Sequence, residues 1–189
     1  MSLNITLYTV TAALILGPDG ERLYAKYYRP DDALQAYKTV QQQEKFEKTV
    51  YAKINKLHQD VLLCDDHLVT YKQTNNVIVV MVGALQENES MLYSLTANVH
   101  EALSILFNNS LDKQTVLEKY DMVCLCLDEA VEDGIIVEID PYVLVSRVTK
   151  PPQNSVVAGE MSIDLSEKGF FNAFSYASKR ISEKLQQGL

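Results

Sequence analysis

Tryptophan is absent from the 189 residues, and no stretch reaches the roughly 18 consecutive apolar residues of a membrane-spanning helix. The N-terminus carries no basic-then-apolar signal, so no secretory segment is expected. Cysteine is scarce. Cys64, Cys124 and Cys126 are odd in number and lack the spacing of a disulfide framework, which points to a reducing compartment and a cytoplasmic protein. Basic residues are in deficit: 17 Lys and Arg face 25 Asp and Glu, a formal net charge of −8. That balance argues against nucleic acid, whose phosphates need a basic stripe. It also argues against direct docking on anionic lipid, except through a local patch that departs from the average.

Catalytic constellations are missing as well. His58, His67 and His100 stand apart from Cys or carboxylates at ligand spacing. Cys124 and Cys126 lie two apart on an expected helix, about 200° apart around its axis, and cannot chelate together. There is no phosphate-binding glycine loop, dinucleotide fingerprint or nucleophile elbow. Asp128-Glu129 with Glu132-Asp133 is the one dense acidic cluster, read as a solvated helix end because no ligand spacing follows it. No catalytic residue, cofactor or metal is expected, and the chain reads as a non-enzyme.

What is present is strand-forming sequence arranged in hairpins. Residues 6–16 and 21–28 flank Gly17-Pro18-Asp19-Gly20, a turn in which Pro18 presets φ and Gly20 supplies a positive φ. The first run is apolar on both faces, with Leu7, Ala13 and Ile15 on one and Tyr8, Val10, Ala12, Leu14 and Leu16 on the other. Such a strand belongs in the sheet interior. A helix over 39–57 carries Phe46, Val50, Ile54 and Leu57 in one stripe, while its Gln, Glu and Lys residues, Glu47 among them, face outward. Strands follow at 61–64, 67–74 and 77–84, the last two reversing at Asn75-Asn76. Asn88 caps a helix over 89–107 with Leu92, Leu95, Val99, Ala102 and Leu106 inward. The next helix, 113–132, presents Leu117, Tyr120, Cys124, Leu127 and Val131, widened by Val116, Val123 and Ala130, and ends at Gly134 as its C′ residue. Residues 135–139 are extended, and Asp140-Pro141 opens a short helix to 148.

The order predicts an α+β fold with a mostly antiparallel five-stranded sheet, one helix on one face and two on the other. The domain spans 1–150. Residues 151–189 form a Pro-containing linker and a C-terminal amphipathic helix with Phe170, Phe174, Ala177, Ile181 and Leu185 in one stripe. Phe170, Phe171, Phe174, Ile181 and Leu185 offer more apolar surface than a solvated helix should, and are the candidate protein-binding residues. They either cover the chain's own domain or dock on a partner.

Three stretches together carry a family resemblance. The first runs from Leu7-Tyr8-Thr9-Val10 through Leu14-Ile15-Leu16 to Gly20-Glu21-Arg22-Leu23-Tyr24-Ala25-Lys26-Tyr27-Tyr28. The second is Glu44-Lys45-Phe46-Glu47-Lys48. The third is Leu127-Asp128-Glu129-Ala130-Val131-Glu132-Asp133-Gly134-Ile135-Ile136-Val137-Glu138 with Asp140-Pro141. In this order the chain resembles the zeta subunits of coatomer, the COPI vesicle coat. More distantly it resembles the sigma small chains of the clathrin adaptors. The resemblance implies a longin-like fold and a structural coat subunit paired with the gamma-type large subunit of coatomer. It implies contact with the other coatomer subunits, and with Arf GTPase only through the large subunits. It further implies a cytoplasmic protein peripheral on Golgi membranes and COPI vesicles, reaching the membrane through the assembled coat, in retrograde Golgi-to-ER and intra-Golgi transport. Sigma chains that help read acidic dileucine signals have a basic residue two places before the Ala-Lys pair. Here that place is Leu23, and Arg22 lies one residue earlier, on the opposite strand face. A sigma-like chain, or a longin-type tethering or GTPase-regulating subunit, is the competing reading.

Overall fold

The structure, a computed structural model, describes residues 9–28, 37–57 and 59–149. Seven strands and five helices alternate along it: β1 Ala12–Leu16, β2 Arg22–Tyr27, α1 Val40–Leu57, β3 Val61–Cys64, β4 His67–Thr74, β5 Val77–Ala84, α2 Glu89–Leu106, α3 Lys113–Glu118, α4 Tyr120–Ala130, β6 Val131–Glu132, β7 Ile135–Ile136 and α5 Pro141–Thr149. Five strands form one antiparallel sheet in the order β2-β1-β5-β4-β3. The expected α+β class and five-stranded sheet are both found. β1 and β5 are interior strands, as their two-sided apolar character requires, and every residue of β1 is buried.

The sheet separates two apolar layers. On one side Phe46, Val50 and Ile54 of α1 cover Ala12, Leu14, Leu16, Ile78, Val80 and Val82. Their four-residue spacing holds them on one helical face, and each buried side chain contributes about 1.5–3 kcal/mol. On the other side α2, α4 and α5 share one core with Ala13, Ile15, Val79 and Met81. That face carries four helical segments rather than the two helices expected, because Val116 brings α3 and Leu144 brings α5 into the layer. Two buried threonines are paired: the Thr70 and Thr96 hydroxyls meet at 2.6 Å, and Thr96 donates to the Leu92 carbonyl.

The N-caps expected at Asn88 and Asp140 and the turns expected at Gly20 and Asn75 are found. The Asn88 side chain accepts from the amides of Ser90 and Met91, and Asp140 accepts from those of Tyr142 and Val143. Asn75 and Gly20 adopt positive φ in their turns.

Four details depart from the sequence reading. Residues 6–8 of the expected first strand lie outside the described residues, and regular strand pairing begins at Ala12, after residues 9–11. Before it, Thr11 still donates to the Val82 carbonyl, but the Val10 amide turns to the Gly134 carbonyl at 3.0 Å. Alternation is lost there, so Val10 packs with Ala13 and Ile15 rather than with Ala12 and Leu14. Leu57, placed in the inward stripe of α1, is exposed, whereas Glu47, placed outward, is buried.

The helix expected over 113–132 breaks at Lys119, whose φ of −115° and ψ of 38° re-aim the chain. The buried face of α4 becomes Val123, Cys126, Leu127 and Ala130, while Leu117 and Tyr120 point outward. Helical structure then ends at Ala130. Val131 and Glu132 pair with Ile136 and Ile135 across a two-residue turn in which Asp133 (φ 47°) and Gly134 (φ 85°) are both left-handed. Gly134 is thus a hairpin residue, not a helix C′ residue. A Cβ there would stand 2.6 Å from the Val10 carbonyl oxygen, so the turn and the start of the sheet are fitted to each other through glycine.

Candidate interaction surface

The groups that could do chemistry are engaged in packing. His67 places a ring nitrogen 2.7 Å from the Asp65 carbonyl and lies edge-on to Tyr37 and Phe46. His100 bonds the Thr74 hydroxyl, and its burial, with the Lys72 ammonium nearby, lowers its pKa. His58 lies outside the described residues. Cys126 is buried, which pushes its thiol up to about 12 and leaves it no thiolate at neutral pH. Among the described residues no three His, Cys, Asp or Glu side chains are grouped to hold a metal ion. No described helix is long and apolar enough to cross a membrane.

The acidic cluster is divided among structural tasks. Lys26 on β2 reaches Asp128 at 2.6 Å, tying the edge of the sheet to α4. Arg147 on α5 spans Glu129 and Glu138, each at 3.2 Å. Glu132 and Asp133 project at the β6–β7 hairpin, where an open groove of about 390 Å³ runs past Lys26, Asp128 and Val137. These exposed pairs are worth at most about 1 kcal/mol each. They fix the orientation of α4 and α5 more than they stabilise it.

A stronger polar joint lies on the opposite face. Glu47, buried on α1, accepts from Arg22 Nε at 2.9 Å, Arg22 Nη2 at 2.7 Å and the Tyr27 hydroxyl at 2.8 Å. Arg22 stays cationic: although burial opposes its charge, the Glu47 carboxylate outweighs that and raises its pKa. A bulge opposite Ile15 and Leu16 sends Leu23 and Tyr24 both into the α2 side of the core while Arg22 faces α1. Arg22 and Leu23 therefore do lie on opposite faces, and the Arg22 fork is consumed within the chain. Sequence reasoning missed this joint because Glu47 reads as one more polar residue on the outer face of a Lys- and Glu-rich helix.

Apolar side chains left in solvent mark where a partner could cover the domain. Leu117, Tyr120 and Leu125 are exposed along α3 and α4, and Val137, Ile139 and Tyr142 at the entrance to α5, with Tyr142 67% exposed. The tail residues Phe170, Phe171, Phe174, Ile181 and Leu185 lie outside the described residues.

Comparison with known proteins gives a consistent answer. A family model described as the clathrin adaptor complex small chain matches residues 9–154. A coatomer subunit zeta from Saccharomyces cerevisiae is 41% identical, covering 98% of this chain and 99% of its own. A probable coatomer subunit zeta-A from Dictyostelium discoideum is 38% identical over 78% of this chain and 85% of its own. Coatomer subunit zeta-1 from Homo sapiens is 36% identical over 77% and 80%. Among structures, a chain in a homology model of the full-length AP-3 complex in a stretched open conformation aligns with a TM-score of 0.58. It is 19% identical, covers 74% of this chain and 90% of that one, and so speaks for the fold alone.

Proposed function

Because the chain belongs to the clathrin adaptor complex small chain family, and within it to the coatomer zeta subunits, we propose that it pairs with the gamma-type large subunit of coatomer. It is a coat adaptor small subunit in a heteromeric complex. In the proposed role it serves the COPI coat in retrograde Golgi-to-ER and intra-Golgi transport. It is cytoplasmic, becomes peripheral on Golgi membranes and COPI vesicles once assembled, and meets Arf GTPase only through the large subunits. The carrying observation is the likeness to the yeast zeta subunit, which extends over nearly the full length of both chains. The role is structural rather than catalytic: His67, His100 and the three cysteines are packed or buried, while Leu117, Tyr120, Leu125 and Tyr142 remain uncovered. Exposed aromatic and aliphatic anchors of this kind suit a large, permanent interface.

The domain supplies the obligatory contact with the gamma-type trunk, and the tail stripe of Phe170, Phe171, Phe174, Ile181 and Leu185 adds affinity without being essential. Deleting residues 151–189 should weaken a pull-down by the trunk yet leave it detectable. Complete loss of binding by a domain that still melts cooperatively would make the tail the anchor instead. At the level of transport, acute depletion of the chain should slow retrieval of escaped endoplasmic-reticulum proteins from the Golgi. Retrieval at the undisturbed rate after depletion would overturn the proposed role.

A further inference from the structure

The described cations are distributed unevenly. Arg22, Lys26, Lys72, Lys113 and Arg147 are each paired with a carboxylate. Lys119 lies over the Phe107 ring. The remaining five, Lys38, Lys45, Lys48, Lys53 and Lys56, all belong to α1 or its approach, and none is ion-paired among the described residues. Lys53 donates to the Leu63 carbonyl. At about 100° per residue Lys45, Lys48 and Lys56 fall on the side of α1 turned away from Phe46, Val50 and Ile54, whereas Lys53 flanks the buried face and Lys38 precedes the helix. Glu44 is the one exposed carboxylate in the same stretch, since Glu47 is buried against Arg22. A chain of net charge −8 thus presents one cationic strip, about 17 Å long from Lys45 to Lys56.

α1 is also the only described helix packed on its face of the sheet, so its outer stripe stands clear of neighbours. Between the lysines lie Gln41, Thr49, Ala52 and Asn55, which are polar or small. The centres of specific protein interfaces are depleted in Lys and rich in aromatic anchors, and this strip has the opposite composition. A row of lysines on one side of a helix, without a hydrophobic anchor, instead suits a plane of diffuse negative charge.

We propose that the outer face of α1 is an electrostatic contact for anionic lipid headgroups, orienting the chain on the membrane. The inference rests on the coat-subunit reading, which brings the chain to a membrane, and goes beyond it by making this subunit touch the lipid. The net acidity of the remainder does not prevent it, because at physiological salt charges are screened over about 8 Å. Each lysine near an anionic surface is worth about fivefold in partitioning, so the strip supports weak, salt-sensitive binding rather than an anchor.

The test is co-sedimentation of the full-length chain with vesicles of phosphatidylcholine containing about one-third phosphatidylserine, against pure phosphatidylcholine, at low and high salt. Binding is expected only to the anionic vesicles and should vanish at high salt. The K45Q/K48Q/K56Q variant should lose about tenfold or more in partitioning. K72Q/K113Q/K119Q, with the same change in net charge, should stay near the parent, and K45R/K48R/K56R should retain binding. Thermal melts and co-purification with the gamma-type trunk accompany each variant. Equal binding to both vesicles, no binding to either, or equal losses in the two glutamine variants would overturn the inference. Loss of the trunk by K45Q/K48Q/K56Q would overturn it too, by making the strip a protein contact. If the parent chain itself fails to pair with the trunk, the coat-subunit reading fails whatever the vesicles show.

Discussion

Removing Arg22 should destabilise the domain more than removing Glu47, although the two are partners in one ion pair. The asymmetry comes from burial: the Glu47 side chain is 3% exposed and the Arg22 side chain 28%. In R22M the carboxylate stays buried with one donor, the Tyr27 hydroxyl at 2.8 Å. An uncompensated buried charge of this kind costs about 3–5 kcal/mol, a large part of the ~5–15 kcal/mol that holds a domain together. In E47L the guanidinium keeps solvent on one side and Gln43 within 3.4 Å of Nη2. The loss is then closer to about 1–2 kcal/mol, that of broken hydrogen bonds to a partly hydrated group. The double variant R22M/E47L removes both charges and should be more stable than R22M alone. Urea unfolding of the four proteins, with slopes checked for constancy, gives the cycle directly. Equal single effects, or a double variant whose loss is the sum of the two, would refute the view that burial of Glu47 sets the cost.

Three further outcomes are expected. Val80→Asp places a carboxylate in the central strand β5, at a site with no exposure, and should abolish the cooperative melt; a melt near the parent temperature would contradict its place in the core. Stability should decline as pH falls below about 6.5, because burial and then Lys72 lower the pKa of His100, so the unfolded chain takes up the proton first. That contribution is fully present above pH 6.5 and is lost as pH falls toward the depressed folded value; H100Q should flatten this part of the stability profile, and an unchanged slope would exclude His100 as its source. Gly134→Ala should lower the melting temperature by several degrees, since the turn needs φ 85° and the new methyl meets the Val10 carbonyl; a shift under one degree would show that the hairpin adjusts freely.

The sheet and its covering helices were legible because their signals are local and redundant. β5 is uniformly apolar, α2 repeats Leu92, Leu95, Val99 and Ala102 on one face, and Asn88 stands where a cap must stand. The errors fall where tertiary contacts override periodicity. Cys124 and Leu117 fit an unbroken stripe, but a bend at Lys119 shifted its phase. Asp133-Gly134 carried a clear hairpin signal that the preceding helical pattern masked. Val10 left the alternation because its amide bonds a hairpin more than 120 residues away in sequence. The interaction surface was less legible than the fold. Leu117 and Tyr120 read as core from their spacing, and only the folded arrangement leaves them uncovered.

The proposed pairing with the gamma-type subunit is tested most directly by co-expressing the full chain with each large coatomer subunit trunk and sizing what elutes. An equimolar complex with the gamma-type trunk, stable through gel filtration and absent with the others, is the expected result. A chain that elutes alone in the presence of the gamma-type trunk, or that follows a different large subunit, would contradict it.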